Sequence, residues 1–156
     1  MTEAANETAT TKADTIEVVY FIAAPPAQVW RALTDPKLLA AWLMENDIRA
    51  EVGHRFTFRA KPMPGWDGIV QCEVLEVDEP HLLRYSWRGG SEEHRLDTIV
   101  TWQLRPAEDG GTRLRLEHSG FRPQDAFALE GLARGWRGKI AERISELLSE
   151  GFREND

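Results

Sequence analysis

The sequence predicts an α+β fold in which a curved antiparallel sheet of about six or seven strands wraps around one long C-terminal helix. Between Ile48 and His118, apolar and polar residues alternate with the two-residue period of strands that have one buried face. From Asp125 to Glu150 the apolar residues instead recur every three or four positions, as on one face of a helix. Strands that precede a helix in this segregated order indicate the α+β class.

The N-terminal part of the fold is predicted to be a strand followed by two short helices. Residues 14–22 (DTIEVVYFI) are rich in β-branched and aromatic side chains, which favours a strand, and Pro25 and Pro26 end it. Two short apolar stripes follow at helical spacing, one carrying Trp30 and the other Trp42, and a proline separates them.

One face of the predicted sheet is apolar and aromatic. The inward positions include Phe58, Tyr85, Trp87, Trp102 and His118. Turns rich in proline and glycine separate the strands, and the longest turn, residues 61–68, carries Trp66. A sheet with one apolar face must cover that face, and the C-terminal helix is the segment long enough to do so.

The predicted C-terminal helix has a matching apolar stripe. Trp136 lies on this stripe, and Gly151 supplies a stop signal. Gly138, inside the helix, lowers helix propensity by about 1 kcal/mol and therefore indicates close packing there. Arg143 falls within the stripe, so we expect its side chain either to extend to the rim or to meet an anionic group inside.

Composition restricts the classes of function. The chain of 156 residues has a formal net charge of −7, which gives no basic surface for nucleic acid or for an anionic membrane. With a single cysteine, Cys72, no internal disulfide can form, which is typical of a cytoplasmic protein. We expect residues 1–13 to be a disordered tail and residues 14–152 to form one domain.

The four histidines do not have the spacing of a metal site. We therefore expect no bound metal, and no dinucleotide or phosphate-binding motif indicates a cofactor. His118 continues the inward parity of its strand and is the candidate polar handle or acid–base group of an interior cavity. The alternative is a strand-end histidine that bonds to backbone.

Aromatic residues carry the ligand hypothesis. The predicted ligand-binding residues are Trp42, Phe58, Trp66, Tyr85, Trp87, Trp102, His118, Trp136 and Arg143. The inward rings either fill the core or line a cavity suited to planar apolar molecules, and parity does not decide between the two. Trp66 lies in a polar loop, which predicts either a lid over that cavity or a contact in a homodimer.

A set of segments also resembles a known family. The segments are APPAQVWRALTDP (24–36), LAAW (39–42), GTRL (111–114), EHSGF (117–121), and Gly135-Trp136 with Ile140. They are similar to the Hsp90-ATPase-activator-homologue (AHSA1-like) branch of the START-like, SRPBCC or Bet v 1-like superfamily. The resemblance implies a helix-grip fold, a curved sheet around a C-terminal helix with a hydrophobic cavity between them. Many such proteins bind small apolar or aromatic molecules, and others are cyclases, sequestering proteins or co-chaperone domains.

Three functions follow from these observations. The leading hypothesis is a non-catalytic protein that binds a hydrophobic or aromatic small molecule, because no catalytic constellation accompanies the aromatic face. The alternative is a cyclase-like or hydrolase-like enzyme that uses His118 with Tyr85 or Glu73. The third, an Hsp90 co-chaperone-type interaction domain, follows from the resemblance alone.

Overall fold

The computed structural model of the chain describes residues 7–11, 14–64, 66–90 and 95–154. The strands are β1 (Glu7–Thr11), β2 (Thr15–Ile22), β3 (Glu45–Asn46), β4 (Arg55–Arg59), β5 (Ile69–Asp78), β6 (Leu82–Gly90), β7 (Arg95–Pro106) and β8 (Thr112–Ser119). The helices are α1 (Pro26–Thr34), α2 (Pro36–Trp42), α3 (Ala126–Trp136) and α4 (Ile140–Glu154). The predicted α+β fold is confirmed, including the two short helices that follow the first long strand.

The strands form a curled antiparallel sheet in the order β1-β2-β8-β7-β6-β5-β4-β3. The described part of the chain therefore contributes eight strands, because β1 and the two-residue β3 extend the two edges beyond the strands predicted from sequence. Between Val74 and Glu76 the register of β5 against β6 shifts. Such a bulge bends a strand and increases its twist, which helps the sheet to curl.

The prediction of a disordered tail is wrong for Glu7–Thr11. These residues form β1, which pairs antiparallel with β2 from Glu7 opposite Tyr20 to Thr11 opposite Ile16. The segment is short and rich in threonine, so it has no apolar periodicity to reveal it, and its pairing comes from the open edge of β2. The rest of the predicted tail lies outside the described residues.

The single C-terminal helix predicted from sequence is two helices. The chain leaves the α-helix after Trp136, and the backbone N–H of Ile140 donates to Gly138 at 2.8 Å instead of to the Trp136 carbonyl. That carbonyl accepts the Tyr20 hydroxyl from β2 at 2.5 Å. The break at Gly138 is thus stabilised because a distant side chain bonds the group that the helix leaves unpaired.

The apolar core lies between the concave face of the sheet and the helices. Side chains from β2, β4–β8 and all four helices contribute to one buried cluster. On α4, among residues 140–149, whose burial is described, the buried positions are Ile140, Ala141, Ile144 and Leu148, which recur at helical spacing and face the sheet. Within the described part of the chain, no helix has the length and apolar character needed to span a membrane.

Candidate ligand-binding site in the aromatic interior

A network of aromatic rings occupies the concave side of the sheet. Phe58 lies 5.4 Å from Trp87 between ring centroids, and Trp87 lies 5.6 Å from Trp136. Trp136 also makes an edge contact with Trp102 at 5.7 Å. The four side chains are at most 4% exposed, and all three pairs have a tilted or edge-to-face geometry, with the edge-to-face form favoured by aromatic rings. The parity of the strands therefore brings together residues that are far apart in sequence.

Tyr85 and Trp42 enclose this network on two sides. The Trp102 Nε1–H donates to the Tyr85 hydroxyl at 3.0 Å, and burial raises the pKa of that hydroxyl well above its usual range. Tyr85 therefore stays neutral. Trp42, on α2, places its ring edge-to-face with Trp102 at 6.1 Å while its Nε1–H donates to the Ala32 carbonyl at 2.9 Å.

His118 is held in one neutral form by its partners. The Trp136 Nε1–H donates to Nδ1 at 3.1 Å, so the ring proton is on Nε2, which lies 2.8 Å from the Thr98 hydroxyl. Thr98 in turn donates to the Trp87 carbonyl at 2.8 Å. Burial lowers the pKa of His118 from 6.5 to about 3. The bonds of His118 run to side chains, where the alternative interpretation expected backbone.

The arrangement around His118 suits positioning better than proton transfer. A second proton on the ring would have to go to Nδ1, where it would face the indole N–H of Trp136. Both ring nitrogens are occupied by protein partners in the folded state. His118 therefore aligns Trp136 with β7 and β8.

The Trp66 side chain is partly buried and hydrogen-bonded, although its loop is polar. It is half-buried against the core, and its Nε1–H donates to the Ile69 carbonyl at 3.2 Å. The loop itself is closed by a bond from the Ala60 N–H to the Gly68 carbonyl at 2.8 Å. Gly68 has φ +85° and a Cβ there would lie 2.3 Å from the Ala60 oxygen, so only glycine fits. These bonds hold the indole at the end of β5, beside β6.

Two predicted functional residues lie away from the aromatic interior. Arg143 is exposed on α4, where it lies outside the face formed by Ile140, Ile144 and Leu148. Glu73 is on the outer face of β5, where its Oε1 lies 3.6 Å from Nε of Arg55. Neither residue is brought together with His118.

Sequence reasoning missed three residues that complete the site. Phe56 contacts the Tyr85 ring at 5.2 Å, and Phe121 contacts His118 at 4.8 Å. Thr98 supplies the hydroxyl between His118 and β6. Phe56 and Thr98 share the inward parity of their strands, which would have found them.

We predict that the purified protein contains no stoichiometric metal. The described residues form no cluster of three or more potential ligands, and burial raises the pKa of the Cys72 thiol, which disfavours a metal-binding thiolate. Elemental analysis should therefore find no zinc, and a chelator should leave the unfolding temperature unchanged. One equivalent of zinc per chain, or a chelator-dependent loss of stability, would contradict this prediction.

Comparisons with known proteins assign the chain to a family. Residues 23–149 match the family model described as Activator of Hsp90 ATPase homolog 1-like protein. The chain belongs to this AHSA1-like family. No curated protein matches it.

Solved structures share the fold of this AHSA1-like chain. Protein MLL2253 from Mesorhizobium loti is 40% identical, with a TM-score of 0.77, over 86% of this chain and 96% of the other. A Rhodobacter sphaeroides protein is 27% identical, with a TM-score of 0.71, over 92% and 97% of the two chains. Protein BH1534 from Bacillus halodurans is 28% identical, with a TM-score of 0.69, over 90% and 99%. The predicted family and fold are thus confirmed, and the family is compatible with small-molecule binding.

Proposed function

We propose that the protein binds an apolar or aromatic small molecule between its curled sheet and the α3–α4 pair, without converting it chemically. The observation that carries the proposal is the continuous aromatic surface on the concave side of the sheet. Large aromatic rings in one interior give apolar area and specific edge and face contacts to a planar guest. A ligand would enter by displacing rings that now contact one another, so binding should couple to their rearrangement.

The state of His118 supports binding over catalysis. General acid–base chemistry needs a group that can exchange a proton with substrate near the working pH. His118 has both nitrogens bonded to protein, and its pKa is lowered to about 3 by burial. The carboxylate considered for an enzyme, Glu73, is on the opposite face of the sheet.

A ligand panel tests the proposal. The full chain is titrated with uncharged aromatic and lipid-like probes, and binding is followed by calorimetry and tryptophan fluorescence. We expect saturable binding of aromatic probes at one site per chain, with the probe recovered unchanged. No saturable response to any probe would contradict ligand binding, and recovery of a converted probe would favour the enzyme.

Trp66 is proposed as a lid over this interior. Trp66→Ala should weaken the binding of an aromatic probe about tenfold, equivalent to the roughly 1.4 kcal/mol of one aromatic contact. Because Trp66 is in a loop at the edge of the core, we expect the free energy of unfolding to fall by only about 1 kcal/mol. Calorimetric titration measures the first quantity and urea unfolding the second.

The competing role for Trp66 is a homodimer contact. Gel filtration of wild type and Trp66→Ala separates the two roles. A change from dimer to monomer with unchanged probe affinity would contradict the lid. Met63→Ala is the matched control, because Met63 is in the same loop and is 61% exposed. It should leave probe affinity unchanged.

A further inference from the structure

The Tyr85 hydroxyl has a proton with no acceptor among the described residues. The hydroxyl oxygen accepts the Trp102 Nε1–H at 3.0 Å. Within the described part of the chain, the Tyr85 side chain makes no other hydrogen bond. The side chain is 1% exposed, and its neighbours include the rings of Phe56 and Phe58. Buried donors without acceptors are rare in native proteins, and each one calls for an explanation.

Trp87 presents a second such donor on the same strand. Four of the other five tryptophans donate their indole N–H to an acceptor, namely Trp42, Trp66, Trp102 and Trp136, whereas Trp30, on α1 and away from this strand, also has none among the described residues. For the Trp87 indole N–H, which is on a side chain only 4% exposed, the described residues supply no acceptor. Tyr85 and Trp87 are two residues apart on β6 and so face the same side, about 6.6 Å apart along the strand.

The charges around this pair restrict what could bind to it. The buried side chains of the described residues include no lysine or arginine, and the one buried carboxylate, Asp125, is paired with Arg122. An anionic ligand would therefore lose its hydration without gaining a countercharge. A cationic ligand would meet two donors, each presenting a positive hydrogen. An uncharged molecule that carries acceptor oxygens matches both donors.

We propose that the Tyr85 hydroxyl and the Trp87 indole N–H bind carbonyl oxygen on an uncharged, planar aromatic ligand, such as an aryl ketone or a quinone. This inference rests on the proposed function and names the ligand class of that same site. The aromatic rings around the two donors hold the planar body of the ligand. The two donors orient it and select against hydrocarbons of the same shape.

Fluorenone and fluorene test the proposal because they differ only in a carbonyl and a methylene group. Calorimetric titration of the full chain should show fluorenone binding about tenfold more tightly than fluorene, a difference of about 1.4 kcal/mol. Tyr85→Phe should lower this ratio about threefold, which is about half of the free-energy difference, because the Trp87 N–H still donates, while fluorene affinity changes little. The anionic fluorenone carboxylate should bind at least tenfold more weakly than fluorenone.

Tyr20→Phe is the matched control, since Tyr20 also has a buried hydroxyl but donates it to the Trp136 carbonyl. It should keep the wild-type ratio of the two affinities. If both probes bind and the ratio survives Tyr85→Phe, the assigned ligand class is wrong while ligand binding stands. If Tyr85→Phe does not fold, equal binding of the two probes to wild type overturns the inference. Binding of neither probe overturns this inference, and the wider aromatic and lipid-like panel then decides ligand binding by itself.

Discussion

Replacing Trp136 by alanine should lower the free energy of unfolding by about 3–5 kcal/mol, as for other buried aromatic residues cut to alanine. Trp136 is 2% exposed and contacts the rings of Trp87, Trp102 and His118. The substitution also removes the N–H donor of His118 Nδ1. Urea unfolding of the two proteins measures the difference. A loss below about 1 kcal/mol would mean that Trp136 does not anchor α3 to the sheet.

Trp136→Phe separates the hydrogen bond from the packing. Phenylalanine keeps a ring but leaves Nδ1 of His118 buried without a donor, which costs about 1–3 kcal/mol in addition to the lost volume. Trp30→Phe is the matched control, because Trp30 is 3% exposed and its indole N–H has no acceptor among the described residues. Equal losses in the two variants would show that the bond to His118 adds no stability.

Acid should destabilise the protein through His118. In the unfolded chain this histidine binds a proton near pH 6.5, whereas burial lowers its folded-state pKa to about 3. Between these values the unfolded state binds more protons, so stability falls as the pH falls, by up to about 1.4 kcal/mol per pH unit. Above pH 6.5 the contribution is fully present. Urea unfolding measured from about pH 7 to pH 4 gives the slope.

His118→Gln should flatten this pH dependence, because glutamine does not titrate in that range. His81→Gln is the matched control, since His81 is exposed in the turn between β5 and β6. It should keep the wild-type slope. The same slope in wild type and His118→Gln would contradict the role given to the buried imidazole, even if that variant is less stable at neutral pH.

Alternation along the strands was sufficient to predict which aromatic residues share the interior. Phe58, Tyr85, Trp87 and Trp102 are all buried on the concave face, as their parity indicated. The period of a strand is short and strict, so a few residues establish which face a side chain takes. Parity does not encode which rings touch, because ring contacts depend on register between strands.

The break between α3 and α4 could not be predicted in this way. A glycine inside a helix costs only about 1 kcal/mol, so Gly138 alone is compatible with a continuous helix. What stabilises the break is the Tyr20 hydroxyl, which reaches the Trp136 carbonyl from 116 residues earlier in the chain. Arg143, which the continuous helix placed within the apolar stripe, is exposed on α4. Long-range partners of this kind leave no local pattern.

NMR of the indole N–H groups tests most directly the claim that the aromatic interior is a ligand-binding site. The six tryptophans give separate reporters, which Trp→Phe variants can assign. Saturation of the full chain with the tightest-binding aromatic probe of the panel should shift the signals of Trp87, Trp102 and Trp136 together, along one binding curve, and should leave that of Trp30 on α1 little changed. A saturating probe that shifts only Trp66, or none of the six, would contradict the account, because the ligand would then bind outside the aromatic interior.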